Sequence, residues 1–284
     1  MEPISLASQA PIDLHMHTTY SDGHWQPEEL FSYLTQQHFA LVSVTDHDRI
    51  DRIEEMQELG RQVDIPVLAG VEVTTEWENK MGHVLCYGIE PANVEFGRLL
   101  QKTVRRQLEN TQEVYQELRR RGYEFPRQAE ILAEQNGDLV RPVDNARLLQ
   151  AHGHAQSFQE AMKIITDAGF RSIMADMAEA VDAAHQAGGV ALIAHPGRRE
   201  PGFTLYTPGL LDQVSEHVPL DGIEVVHPSH SAEQIADFQA YVTRRGWLHS
   251  TGSDSHGPRH RYPIAHQARL SAALLKRCNV TLVD

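Results

Sequence analysis

Cysteine is scarce in this chain, two in 284 residues, and Cys86 and Cys278 stand too far apart to suggest a disulfide framework or a thiolate zinc site. They fit a reducing compartment, as small apolar residues. Long hydrophobic runs are missing: no stretch approaches ~18 apolar residues, so no membrane span is expected. The opening MEPISLASQA has no basic region leading into an apolar core, so no signal peptide is expected and a cytoplasmic location is the default. Positive charge is also short, and a formal net charge of -14 excludes a broad basic surface for double-stranded DNA. Internal repeats and low-complexity tracts are absent. What remains, 41% hydrophobic and 23% charged residues, is the composition of a globular protein with a sizeable core. The length suits one large α/β domain or two ordinary ones.

Against these absences stand seventeen histidines, and they cluster. In Asp13-Leu14-His15-Met16-His17, the apolar residues Ile12, Leu14 and Met16 alternate with polar ones, the pattern of a half-buried strand. Residues two apart in a strand share a face, about 6.5–7 Å apart, so His15 and His17 can close on one ion. Ser21-Asp22-Gly23 then reads as a turn that leaves Asp22 near the strand's end. An isolated pair of this kind is most simply two histidines on a wet strand face.

The rest of the chain changes that reading. A helix starts at Pro27-Glu28-Glu29, a short buried strand over 40–45 ends at Asp46-His47-Asp48, and a polar helix covers 49–62. Strands over 66–74 and 83–89 carry Glu72 and His83, completing a β-α-β-α-β-β order, mostly the rhythm of a parallel sheet. From 97 to 180 the pattern is helical: one long helix ended by Gly122, then helices near 127–135, 142–152 and 157–168. This segment reads as a helical insertion and substrate lid within a domain formed by 1–96 and 181–284. After Ala178 a helix leads to strand 190–194, which runs into His195-Pro196-Gly197-Arg198. Strand 222–226 ends at His227-Pro228-Ser229-His230, helix 231–245 follows, and strand 247–251 leads into Asp254 and His256. A helix over 269–277 and a strand over 280–283 close the sequence.

Most of these histidines and carboxylates sit where an apolar strand ends, and strand ends in α/β barrels and open parallel sheets converge on one site. Clusters of imidazole and carboxylate without thiolate suit zinc, manganese or iron. The pattern therefore points to a multinuclear metal site.

The motifs DLHMHTTYSDG (13–23), TDHD (45–48), GVEVT (70–74), AHPGR (194–198) and GSDSHG (252–257) resemble those of the PHP (polymerase and histidinol phosphatase) family. The insertion resembles that of its TrpH/YciV-like branch, which acts on nucleotide and RNA phosphates. The resemblance implies an α/β fold, a distorted seven-stranded TIM-like (β/α)7 barrel. It implies three divalent ions (manganese, zinc or iron): one on His15, His17, Glu72 and Asp254, a second on Glu72, His83 and His195, a third on Asp22, His47 and His256. Glu72 would bridge two ions, since a carboxylate has two oxygens and a neutral imidazole has one lone pair. Glu72 and Asp254, with His227 and His230 as candidate proton donors, are the expected catalytic residues. Asp13 and Asp46 are expected to orient ligand histidines, and His249, His260 and His266 to lie on the surface.

Three divalent ions against Asp22, Glu72, Asp254 and a bridging hydroxide leave about +2 in an acidic protein, a pocket suited to a phosphate dianion. Arg198 follows a ligand histidine and is a candidate phosphate contact, and His230 a further substrate contact. Arg141 stands where the branch carries Arg-Pro, although Val143 replaces its usual histidine. The expected function is hydrolysis of nucleotide or short-RNA phosphate esters by a metal-bound hydroxide, releasing phosphate. A histidinol-phosphate-type phosphatase, a metal-dependent amidohydrolase and a non-catalytic metal or nucleotide sensor are the rivals. No oligomeric state follows from the sequence.

Overall fold

The computed structural model describes residues 4–133, 137–199 and 202–284. Two compact units emerge: one formed by Met1–Leu100 and Met174–Asp284, the other by Gln101–Ile173. In the first, the order is β1 (Ile4–Ala7), β2 (Pro11–Asp13), α1 (Pro27–Gln36), β3 (Leu41–Val42), α2 (Ile53–Gln62), β4 (Gly70–Trp77) and β5 (Lys80–Tyr87). The boundary at Leu100 falls inside α3 (Val94–Arg120), and α4 (Gln128–Ile131), α5 (Pro142–Ala151) and α6 (Phe158–Asp167) belong to the second unit. The first unit resumes with β6 (Ala175–Asp176), α7 (Met177–Gln186), β7 (Val190–Ile193), α8 (Pro208–Ser215), β8 (Gly222–Val226), α9 (Ala232–Arg245) and β9 (Leu248–Thr251). β10 (His266–Gln267), a 3₁₀ turn, α10 (Ala272–Arg277) and β11 (Val280–Val283) complete it. Part of the helix expected near 127–135 lies outside the described residues.

The fold is mixed α/β, and it departs from a regular seven-stranded barrel. Among the described residues eleven strands form three sheets, in the orders β1-β11, β10-β2-β3 and β6-β4-β5-β7-β8-β9. β5 runs antiparallel to both β4 and β7. Single bridges, Met16 to Ser255, Val42 to Val67 and His47 to Glu72, span the gaps between sheets. Regular pairing stops at the strand ends because the backbone there turns side chains inward. His195, Asp254 and Asp48 take φ of 31°, 52° and 54°, the left-handed region that costs a non-glycine residue about 1–3 kcal/mol.

Alternation along the strands sorts two cores. Val71, Val73, Val84, Cys86, Ala191, Ile193, Ile223 and Val225 face α7, α8 and α9. Leu85, Tyr87, Leu192 and Ala194 face the other way, among Leu14, Leu41, Leu274 and Leu275. Glu72 and Glu224, each between two members of the first core, therefore sit on this inner side. The stretch from Ile12 to His17 is buried on both faces, so it is not the half-buried strand that its alternation suggests. His249 and His266 are half-buried, the latter because β10 pairs with β2; only His260 is exposed.

Candidate metal centre

Glu72 lies at the middle of the site, 1% exposed. Its Oε2 is 3.0 Å from His15 Nε2, 3.1 Å from His17 Nε2 and 3.4 Å from His47 Nε2. Its Oε1 is 2.9 Å from His83 Nδ1 and 3.0 Å from His195 Nε2. His83 reaches this point because β5 is antiparallel: its residue 83 pairs with Thr74, two residues past Glu72. Asp254 Oδ1 stands 3.3 Å from His17 Nε2 and 3.5 Å from His15 Nε2. On the other side Asp22 Oδ1 is 3.2 Å from His256 Nε2, and its Oδ2 is 3.9 Å from His47 Nε2. A cavity of about 290 Å³ is lined by Asp22, His47, Glu72, His83, Asp254 and His256, with Arg198, Phe203, His24 and His260.

Donor atoms within 4.8 Å of one another group as His15, His17, Glu72 and Asp254; as His47, Glu72 and His83; and as His17, Asp22, His47 and His256. The residues suit a divalent cation. Both His17 ring nitrogens and His47 Nδ1 are buried without an aligned hydrogen-bond partner, although Glu72 Oε2 lies 3.1 Å from His17 Nε2. Buried ring nitrogens left over beside Glu72, in a set of imidazole and carboxylate without thiolate, suit a shared cation.

Electrostatics agree. Burial opposes charge at Glu72 and Asp254, but the surrounding imidazoles, His15 first, hold both carboxyls well below their ordinary range. Burial lowers His17, and the carboxylates of Asp254, Glu72 and Asp22 outweigh it and lift the imidazole to about 10. Burial prevails at His47 and His195, brought down to about 3 and about 4. The carboxylates thus stay charged and hold a proton on His17 where no metal supplies positive charge.

The remaining predicted residues divide. Arg198 lies 3.6 Å from Asp254 Oδ2, its guanidinium stacked 3.8 Å from the centre of the Phe203 ring. His227 Nδ1 accepts from the Ser229 N–H, so the neutral ring carries its proton on Nε2, 3.5 Å from Asp254 Oδ2. His230 is occupied: its Nδ1 donates to the Val225 carbonyl and its Nε2 accepts from the Gly197 N–H. It braces the 195–198 turn and has no ring nitrogen left for a proton donor's role. Asp13 binds backbone N–H groups, and Asp46 a backbone N–H and two hydroxyls, rather than histidine rings. Asp13 accepts from the His15, Ser253 and Ile264 N–H groups. Asp46 accepts from Thr18 N–H, Thr18 Oγ1 and Ser21 Oγ, fixing the loop that presents Asp22. Arg141, in the other unit, lies 3.6 Å from the buried Asp144. Sequence reasoning missed Glu224, whose carboxylate meets His15 Nδ1 at 3.0 Å.

Inward-turned strand ends that gather imidazoles and carboxylates around one cavity define an α/β protein built to bind divalent metal. The PHP domain family model matches residues 13–170, and the chain belongs to that family. It is 30% identical over 253 residues to the 3',5'-nucleoside bisphosphate phosphatase of Chromobacterium violaceum, covering 88% of each chain. It is 29% identical over 257 residues to the 5'-3' exoribonuclease Rnm of Escherichia coli, covering 87% of this chain and 85% of the relative. A structure of an amidohydrolase from C. violaceum with bound sulfate and no metal superimposes with a TM-score of 0.72 at 29% identity, covering 90% of this chain and 91% of that one.

Proposed function

We propose that this chain is a divalent-metal-dependent phosphoesterase acting on phosphate esters of nucleotides, such as 3',5'-bisphosphate nucleotides, or on short RNA. The observation that carries it is Glu72, ringed by five imidazole nitrogens, in a cavity that Arg198 also lines. A carboxylate so placed is suited to bridge two cations, and a guanidinium beside them suits a phosphate. The names of the C. violaceum and E. coli relatives support the nucleotide and RNA substrate class.

On this reading the first ion takes His15, His17, Glu72 and Asp254, the second Glu72, His83 and His195, and the third Asp22, His47 and His256. The seven strands β2, β3, β4, β5, β7, β8 and β9 act as a distorted barrel, a view supported by the bridges that span the sheet gaps. When bound, manganese, zinc or iron supplies Lewis acidity, activating water and offsetting charge on the phosphoryl and leaving oxygens. The chain's own residues do the rest. Arg198 grips two non-bridging phosphate oxygens, its plane set by Phe203. His227 presents its Nε2 proton toward the leaving oxygen, its tautomer set by Ser229. His230 and Gln234 hold the turn that carries His195 and Arg198.

A panel of phosphate esters and amides tests this with manganese- or zinc-reconstituted protein. Inorganic phosphate or nucleotide should be released from a 3',5'-bisphosphate nucleotide or a short oligoribonucleotide. Ammonia release, or no turnover of any phosphate ester, would overturn the reading. In the same panel, Arg141→Ala should lower kcat/KM on the bisphosphate by roughly 10- to 150-fold, the value of a charge-assisted hydrogen bond of about 1.5–3 kcal/mol. A small aryl phosphate should be cleaved as before. Equal losses on both would assign Arg141 to its Asp144 pairing instead.

A further inference from the structure

Glu224 is a carboxylate in the middle of an apolar strand. It is fully buried in β8, between Ile223 and Val225, which pack on the outer core. The inner positions of neighbouring strands hold Leu85 and Leu192, so an aliphatic side chain fits this layer. A buried carboxylate costs several kcal/mol unless its oxygens are satisfied. Both of Glu224's are: Oε1 receives a hydrogen bond from His15 Nδ1 at 3.0 Å, and Oε2 one from the His195 backbone N–H at 2.8 Å.

Each contact has a specific result. A carboxylate accepts but does not donate, so His15 must carry a proton on Nδ1. Nε2 is then the ring nitrogen that faces Glu72 Oε2 at 3.0 Å and Asp254 Oδ1 at 3.5 Å, holding a proton between them in the metal-free protein and offering a lone pair to a cation that replaces it. The second contact pins the backbone where β7 ends and His195 turns in with φ of 31°. The surroundings are shaped to this pair. A Cβ on Gly252 would lie 2.2 Å from His15 Cβ and 2.7 Å from Glu224 Oε1, so only glycine lets the two side chains meet there. His15, Glu224 and His227 also lie close enough to hold an ion of their own. The His15 Nδ1 proton fills that space, and His227 Nδ1 is already bonded to Ser229.

We propose that Glu224 is a positioning residue for the metal centre: one oxygen fixes His15 with its Nε2 lone pair aimed at the first ion, and the other holds the turn that delivers His195 to the second. The inference rests on the reading of His15 and His195 as metal ligands. Glu224 also adds a fourth negative charge, so the centre carries about +1 instead of the +2 obtained from Asp22, Glu72 and Asp254 alone. A hydrogen-bonded carboxylate of this kind makes the histidine a stronger donor, and its loss typically costs 10- to 100-fold in metal affinity.

Zinc titration against a competing chelator tests it, on wild type, Glu224→Gln and Glu224→Asp. Glutamine keeps the shape but sets an NH₂ group against one of the two N–H donors, and aspartate falls one methylene short. Both should weaken zinc binding by 10- to 100-fold at the His15 and His195 positions, while the ion on Asp22, His47 and His256 keeps its affinity. In zinc-loaded wild type, nitrogen NMR should show His15 protonated on Nδ1 and zinc-bound through Nε2, and that signature should be lost in the glutamine variant. Wild-type affinities in both variants, or equal weakening of all sites together with a lower melting temperature of the metal-free protein, would overturn the proposal and leave the ligand assignment standing. A wild type that binds no zinc would overturn the ligand assignment and this inference with it.

Discussion

Glu72→Gln is expected to empty two metal positions together and to lower turnover by about 10²- to 10⁴-fold. The size follows from removing one partner of a buried charge cluster, about 3–5 kcal/mol. The pairing of losses follows from geometry, because Oε2 faces His15, His17 and His47 while Oε1 faces His83 and His195. His256→Ala should instead empty a single position, since its Nε2 meets Asp22 and not Glu72. Metal content per chain, measured by elemental analysis alongside phosphate release, checks both. Loss of one ion in each variant would refute the bridge.

Chelation should have an equally large effect. Removing the metals should abolish turnover and lower the melting temperature by roughly 10 °C or more, since a site held at 100 times its Kd adds about 2.7 kcal/mol. The metal-free protein should then show a stability maximum near pH 6.5, the ordinary histidine value. His15 and His17 are raised in the fold, so their contribution is complete below that pH and fades as pH climbs through their raised values, about 10 for His17. His47 and His195 are depressed to about 3 and about 4, so theirs is present above that pH and lost as pH falls toward those values. The lowered carboxyls of Glu72 and Asp254 add to the acid-side loss. Metal binding needs unprotonated imidazoles, so the melting gap between loaded and stripped protein should widen from pH 6 to pH 8. A gap that narrows over that range would count against histidine ligation.

The strand-end histidines were legible because each follows an apolar run that can only be a core strand. His15, His47, His195 and Asp254 all meet in one cavity region, as that logic requires. The direction of β5 was less legible. The Trp77–Lys80 hairpin turns through Glu78 and Asn79 at φ of 49° and 58°, with no glycine to announce it. β1, β6 and β10 are too short or too weakly patterned to read, and β1 and β10 are fixed by partners far away in the chain. Glu224 lies mid-strand, outside the strand-end pattern of the other site residues, although alternation in Gly222-Ile-Glu-Val225 places it opposite Ile223 and Val225. His227 and His230 look equivalent in sequence; only the backbone partners of His230 separate them. The irregular pairing could not be read at all, since the left-handed turns at His195 and Asp254 leave no mark in residue type.

The bridge between Met16 and Ser255 joins stretches far apart in the chain, which has a consequence for the order in which the site is completed. Six of the nine candidate ligands, His15 through His83, precede Gln101–Ile173 in the chain, and His195, Asp254 and His256 follow it. Synthesis therefore makes a half-site of four imidazoles and two carboxylates before the remaining ligands exist. That half-site lacks Asp254, so the proposed first ion would gain its full ligand set only when Ser255 reaches Met16.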